Sequence, residues 1–221
     1  MESGGRGSPA LHAFLQSLGR PAAENIFNPW CDVDHGTDLR RDAARQRIRR
    51  LQAHLRGDIE YVLVGEAAGY QGCKVSGIPF TSERLILAGQ IPRVAAAAAR
   101  LSSRGRPWSE PSATTVWKTL YALGIAERTA LWNAYPWHPH KPDNPHSNRT
   151  PTRTERSAGV TVLEAFLRLF PGARVFAVGR NAERSLAELG IQCAALRHPS
   201  MGGAVEFAAQ LRRAVAKTSA P

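Results

Sequence analysis

Short apolar runs alternating with helical patterns predict an α/β protein, a three-layer α/β/α sandwich around a central parallel four-stranded sheet. Three observations carry that prediction. The apolar runs are Tyr61 to Val64, Ala130 to Trp132, Arg174 to Val178 and Cys193 to Leu196, and apart from Arg174 they are continuously apolar rather than alternating, as strands covered on both faces are. Each is followed by a loop carrying Gly, Asn or Pro. The segments between them are long enough to return the chain to the same sheet edge as right-handed crossovers.

In chain order, residues 1–10 are rich in Gly and Ser and are expected to be disordered, leaving 11–221 as one domain. From Leu39 to Arg56, Ala44, Ile48, Leu51 and Leu55 recur at helical spacing. The same stretch holds Arg40, Arg41, Arg45, Arg47, Arg49, Arg50 and Arg56 against Asp42, which predicts an amphipathic helix with a basic outer surface. Further helical patterns fall near Ser112–Leu123, Arg153–Phe170, Asn181–Leu189 and Ala204–Val215. Thr152 followed by Glu155 is the signature of a capping box at the start of the second of these. In an open parallel sheet, ligands bind outside the carboxyl ends of the strands, so the loops after Val64, Trp132, Val178 and Leu196 are where function is expected.

The chain has 221 residues, with 29 Lys plus Arg against 18 Asp plus Glu and a formal charge of +11. Only Lys74, Lys118, Lys141 and Lys217 are lysines, so the excess is almost wholly arginine. That balance points to a polyanionic partner such as nucleic acid. No apolar run approaches the roughly 20 residues that span a bilayer, and Met1 to Ala10 lacks the apolar core of a secretory signal. Cys31, Cys73 and Cys193 are odd in number and far apart, which argues against a disulfide framework and reads as three buried thiols in a reducing, cytoplasmic compartment.

Three of the loops are distinctive. The first runs Gly65-Glu66-Ala67-Ala68-Gly69-Tyr70-Gln71-Gly72 and on to Gly77-Ile78-Pro79-Phe80-Thr81. Its glycine spacing is neither a dinucleotide fingerprint nor a phosphate-binding P-loop. The second is Asn133-Ala134-Tyr135-Pro136-Trp137-His138-Pro139 and the last is Arg197-His198-Pro199-Ser200-Met201-Gly202-Gly203. In this order, at the ends of successive strands, they resemble the uracil-DNA glycosylase superfamily over roughly residues 61–203. The Gly-Glu-Ala-Ala-Gly opening and Asn148-Arg149-Thr150-Pro151-Thr152 are closest to the iron–sulfur members. The four cluster cysteines of that group are missing, so the resemblance implies the superfamily without its metal cluster and with no cofactor.

The resemblance implies a monofunctional DNA glycosylase. Such an enzyme turns uracil, or another deaminated or 5-substituted base, out of DNA, hydrolyses the N-glycosidic bond and leaves an abasic site for base excision repair. It implies stacking of the flipped base on Phe80 and reading of its edge by Asn133, whose amide offers both a donor and an acceptor to O4 and N3–H of uracil. His198 is implied as a hydrogen-bond donor to the charge that develops on uracil O2. Where the prototype branch has a water-activating aspartate this chain has Ala67, so the neighbouring Glu66 is the candidate for positioning water, with a loop-bracing carboxylate as the alternative.

Gly69 stands where the prototype branch has a tyrosine that excludes the thymine methyl, and Tyr70 or Gln71 could refill the space. Thr81, Ser82 and Ser200 are candidate phosphate contacts, Arg149 and Arg197 candidate outer contacts, and Met201 a candidate wedge into the vacated stack. The partner is DNA, no membrane is involved, and a monomer is the default for lesion search.

Two rival readings stand beside this one. His138, His140 and His146 share a Pro-rich loop with Asp143, a set too irregular in spacing for a metal-dependent hydrolase. A non-catalytic binder of abasic or damaged DNA would use the same pocket, and Ala67 at the prototype catalyst's position is the feature that favours it.

Overall fold

The computed structural model describes residues 8–19, 24–95 and 100–216. In chain order the elements are α1 (Pro9–Gln16), β1 (Ile26–Phe27), α2 (Ala43–His54), β2 (Tyr61–Ala67), α3 (Cys73–Ser76), α4 (Glu83–Leu87), α5 (Pro111–Ala122), a 3₁₀ turn at Ala126–Arg128, β3 (Thr129–Tyr135), β4 (His138–Pro139), α6 (Arg153–Leu167), β5 (Arg174–Val178), α7 (Arg180–Glu188), β6 (Ala194–Leu196) and α8 (Ala204–Ala216). The main sheet has the order β3-β2-β5-β6 and every pairing in it is parallel. The predicted four-stranded α/β/α sandwich is the observed architecture.

Register explains why the motifs meet. Gly65 of β2 lies opposite Asn133 of β3, Val64 opposite Ala177 of β5, and Val178 of β5 opposite Leu196 of β6. All four strands therefore end at one level, and the three distinctive loops leave the sheet side by side.

Alternate strand residues face two separate cores, as a pleated strand requires. Val62, Val64, Ala130, Trp132 and Ala177 pack with α1, α6 and α7 through Phe14, Leu163, Phe166 and Leu186. Leu63, Leu131, Phe176 and Val178 pack with α5 and α8 through Val116, Trp117, Leu120, Phe207 and Leu211. Trp132 lies between Trp30 at 5.5 Å and Phe166 at 4.8 Å, both rings nearly parallel to it. Full burial of side chains of this size contributes about 2–3 kcal/mol each from area removed from water. On α6, the Thr152 hydroxyl accepts from the Glu155 N–H at 3.2 Å while Glu155 Oε2 accepts from the Thr152 N–H at 2.7 Å, closing the predicted capping box.

Three expectations need correction. Residues 1–7 lie outside the described residues, but Pro9 and Ala10 are the first turn of α1, capped by the Ser8 hydroxyl accepting from Leu11 N–H at 3.2 Å. Proline at the first helical position and serine before it favour helix over disorder there. The basic helix is not basic only on its outside: Arg47 and Arg50 are 1 % and 4 % exposed. Arg47 pairs with Asp38 and donates to the carbonyls of Asp32 at 3.1 Å and Val75 at 3.2 Å. It is a buried tether rather than a DNA-facing charge. Of the cysteines, Cys73 is buried as expected, whereas Cys31 is exposed and Cys193 is intermediate.

Candidate active site

A cavity of about 400 Å³ opens at the carboxyl ends of β2, β3 and β6. Residues of all three distinctive loops line it, among them Glu66, Gly69, Phe80, Asn133, His198 and Ser200.

Phe80 reaches this wall through an unusual backbone. Gly77 turns with φ +81°, and a Cβ there would come within 2.6–2.8 Å of the Arg47 main chain and Cβ on α2. Trp30 donates its indole N–H to the Gly77 carbonyl at 3.1 Å, and Ser76 and Ile78 are tied by a reciprocal pair of bonds at 2.9 and 3.0 Å. The chain then places Phe80 itself at φ +48°. A left-handed phenylalanine costs on the order of 1 kcal/mol and is retained only where its surroundings enforce it. Here the reward is position: the ring sits over Gly65, where a Cβ would lie 2.6 Å from the ring and 2.7 Å from Asn133 Oδ1. Gly65 is thus the gap through which the aromatic face and the amide edge approach one another.

Asn133 is 3 % exposed, and its Nδ2 is buried without a hydrogen-bond partner. An unsatisfied amide donor costs about 1–3 kcal/mol, so a group lining a cavity in this state is poised for a ligand acceptor.

His198 sits 5.9 Å from Phe80, ring centre to ring centre. Its Nδ1 accepts from the Ser200 main-chain N–H at 3.2 Å and faces the Ser200 hydroxyl at 2.7 Å. A main-chain N–H can only donate, so Nδ1 is bare and the neutral ring carries its proton on Nε2. Burial lowers the His198 pKa from its ordinary value, against an opposing pull from Glu66. The turn that arranges this is tight, since a Cβ on Gly203 would lie 2.1 Å from the His198 carbonyl.

Glu66 projects beside the N-terminus of α7. Oε1 accepts from the Asn181 N–H and Oε2 from the Asn181 side-chain amide, each at 3.3 Å. Gly179 permits this, because a Cβ there would meet Oε1 at 2.5 Å. Glu66 also borders a second cavity of about 610 Å³ that it shares with Arg197, His198 and Ser200.

The other candidates separate clearly. Ala67 and Gly69 line the main cavity. Tyr70 does not: its ring meets Trp108 edge-on at 5.6 Å and tilts against His146 at 6.4 Å, while its N–H donates to Asn148 Oδ1 at 3.1 Å. The space beside Gly69 is therefore not refilled by Tyr70.

Thr81 and Ser82 are fully buried, and the Thr81 hydroxyl accepts from Trp117 Nε1 at 3.0 Å and donates to the Pro79 carbonyl at 3.1 Å. Neither hydroxyl is placed to grip a phosphate: Thr81 is bonded to Trp117 of α5, and Ser82, at the start of α4, is fully buried. Arg149 lines the cavity but spends its guanidinium on a two-pronged pair with Glu155 at 2.6 and 2.7 Å. Arg197 is exposed, and Met201 stands 91 % exposed with φ +52° on the same turn.

Roles for Asn148, Asn181 and Glu110 at the cavity are not evident in the sequence. Asn148 lines the cavity beside Gly69, and Asn181 holds Glu66. Glu110 also lines the cavity, with Oε2 buried and unpaired and with its pKa pushed up to about 7 by burial. In sequence Glu110 lies just ahead of the helical pattern at Ser112–Leu123 with nothing local to mark it, so only the fold reveals it. Of the histidines, His138 is buried between the Ala68 and Pro145 carbonyls at 2.8 and 3.2 Å. Among the described residues, no group of three His, Cys, Asp or Glu side chains is arranged to hold a metal ion.

A uracil DNA glycosylase superfamily model matches residues 54–217. The chain belongs to the uracil-DNA glycosylase superfamily, a family that acts on DNA. The crystal structure of wild-type SMUG2 from Pedobacter heparinus is similar in fold, with a TM-score of 0.67 at 16 % identity over 94 % of this chain and 96 % of that one. No curated protein matches the sequence. Among the described residues, no helix is long and apolar enough to cross a membrane.

Proposed function

We propose that the chain is a uracil-DNA glycosylase that takes a flipped uracil into the main cavity and hydrolyses its bond to the sugar. The observation that carries this reading is the convergence on one cavity of an aromatic face (Phe80), an unpaired amide donor (Asn133 Nδ2) and a neutral imidazole whose proton lies on Nε2 (His198).

Asn133 Nδ2 donates to uracil O4 and Oδ1 accepts from N3–H. Cytosine presents the opposite pattern and would leave both groups unpaired, a penalty that discriminates by orders of magnitude. As the C1′–N1 bond breaks, its electron pair moves into the base and negative charge gathers on O2. His198 Nε2–H stabilises that charge by hydrogen bonding without giving up its proton, and removal of one such donor typically lowers the rate about 10²–10³-fold. Water adds to C1′ of the cationic sugar and loses its proton to Glu66 or to solvent. Asn181 orients the Glu66 carboxylate for that step.

Ser200 and the main-chain groups of its turn, with Arg197 outside them, contact the phosphates flanking the lesion, and Met201 fills the space that the flipped base leaves. The protein works as a monomer on intracellular DNA in base excision repair. Exposed arginines on α2, Arg45 and Arg49, add sequence-blind affinity that weakens with salt.

A second reading, a non-catalytic binder of abasic or damaged DNA, is favoured by the engagement of both Glu66 oxygens with Asn181. Incubation with a labelled uracil-containing oligonucleotide followed by alkali separates the two. Strand cleavage at the uracil supports excision, and a stable complex without cleavage supports binding alone.

A further inference from the structure

We propose that Glu110 is a specificity-determining residue that hydrogen-bonds a hydroxyl-bearing substituent on C5 of the flipped base. The proposal rests on the glycosylase reading above.

The contacts already assigned leave one side of the base open. N1 points to the sugar, O2 to His198, N3 and O4 to Asn133, and the ring face to Phe80. With the base so placed, C5 and C6 are left for the part of the lining formed by Gly69, Glu110 and Asn148, with Gly72 against the Glu110 carboxyl. Two of those four have no side chain, and Glu110 occupies the room they leave: a Cβ on Gly72 would lie 2.1 Å from Oε2, and one on Gly69 would lie 3.3 Å from Oε1. The carboxyl is thus seated on the glycine turn at the edge of the cavity.

Among these neighbours Glu110 is the one with a buried side-chain atom that lacks a hydrogen-bond partner. Asn148 Oδ1 already accepts from Tyr70 N–H at 3.1 Å, whereas Glu110 Oε2 is buried without a partner. Burial alone raises its pKa to about 7, which makes a neutral carboxyl, able both to donate and to accept, accessible near neutrality. Its position is enforced. The buried Glu83 carboxylate accepts from Leu101 and Ser102 N–H at 2.9 Å and from Trp108 N–H at 3.4 Å, so the segment leading to Glu110 is fixed onto α4. A hydroxymethyl group on C5 supplies an O–H of the right reach for this carboxyl, while the plain C5–H of uracil leaves it unpaired. A buried polar group whose partner is present in one ligand and missing in another is a strong source of discrimination.

The test compares excision of 5-hydroxymethyluracil and uracil from the same oligonucleotide by the wild-type protein, Glu110→Leu and Glu110→Gln. Wild type excises both bases. Glu110→Leu lowers the ratio of kcat/KM for 5-hydroxymethyluracil over uracil at least tenfold, and Glu110→Gln, which keeps a donor and an acceptor, holds it within about threefold. A ratio unchanged in Glu110→Leu, or lowered equally in both variants, overturns the assignment. Excision of uracil without excision of 5-hydroxymethyluracil by wild type overturns it while leaving the glycosylase reading intact. Excision of neither base overturns both.

Discussion

The Ser200 main-chain N–H points at Nδ1 of His198 from 3.2 Å and thereby fixes the ring's proton on Nε2. Because burial lowers the His198 pKa from its ordinary value, the ring stays neutral through neutral and alkaline pH. Excision should therefore not decline between pH 7 and pH 9 through loss of a His198 proton. His198→Ala should reduce kcat about 10²–10³-fold. Ser200→Ala should cost less than about tenfold, because the main-chain donor that sets the tautomer survives. Single-turnover rates across pH check all three; a rate that requires protonated histidine would contradict the assignment.

Glu66 touches both the main cavity and Asn181, so its two roles can be separated by chemistry. Glu66→Gln retains an oxygen for the Asn181 N–H and should leave Tm within about 2 °C of wild type. If Glu66 takes the water proton, that variant loses at least roughly 30-fold in kcat. Glu66→Ala should lose both rate and stability. Equal turnover by wild type and Glu66→Gln would reduce Glu66 to a brace.

How far the sequence reveals this site depends on the residue. The four strands were legible because each is a short continuous apolar run, and the shared level of Gly65, Asn133 and Leu196 follows once they form one parallel sheet. Asn133, Phe80 and His198 carry their chemistry in motifs that survive as linear strings.

Thr81 and Ser82 do not: a hydroxyl next to the candidate Phe80 reads as accessible, and only the packing of Trp117 on Thr81 shows that the Thr81 hydroxyl is spent inside. Arg47 misleads in the same way, since an arginine on a basic helix looks solvated until Asp38 and the Val75 carbonyl are seen around it. Glu110 is illegible because nothing local marks it. Its burial comes from Gly69 and Gly72, about forty residues earlier in the chain.

Glu110 also sets a pH dependence of stability. Its carboxyl has a pKa near 7 in the folded protein, above the ordinary 4.5, so the stability it contributes is complete below about pH 4.5 and is lost as pH rises through about 7. Glu110→Gln removes the ionisation. It should raise Tm at pH 8 by a few degrees, on the order of 1–2 kcal/mol, and should change little at pH 4.5. Thermal melts at the two pH values check this; an equal difference at both would contradict it.

Gly77 links the basic helix to the Phe80 ring. With φ +81° and no room against Arg47, Gly77→Ala should destabilise the fold by about 2–4 kcal/mol and shift the segment that holds Phe80. Melting temperature and KM for a uracil oligonucleotide read the two effects. A variant as stable as wild type would show that the Gly77–Arg47 contact is dispensable.

The proposed role of Phe80, Asn133 and His198 is to hold a uracil in their cavity while its bond to the sugar is broken. Its most direct test is the intact mass of a single-uracil oligonucleotide incubated with the wild-type protein and with Asn133→Asp. Wild type should convert the strand to one that has lost uracil and gained one water at that position, and Asn133→Asp, which sets a carboxylate against O4, should do so at least about 100-fold more slowly. An oligonucleotide of unchanged mass after prolonged incubation with wild type, or equal conversion by both proteins, would contradict it.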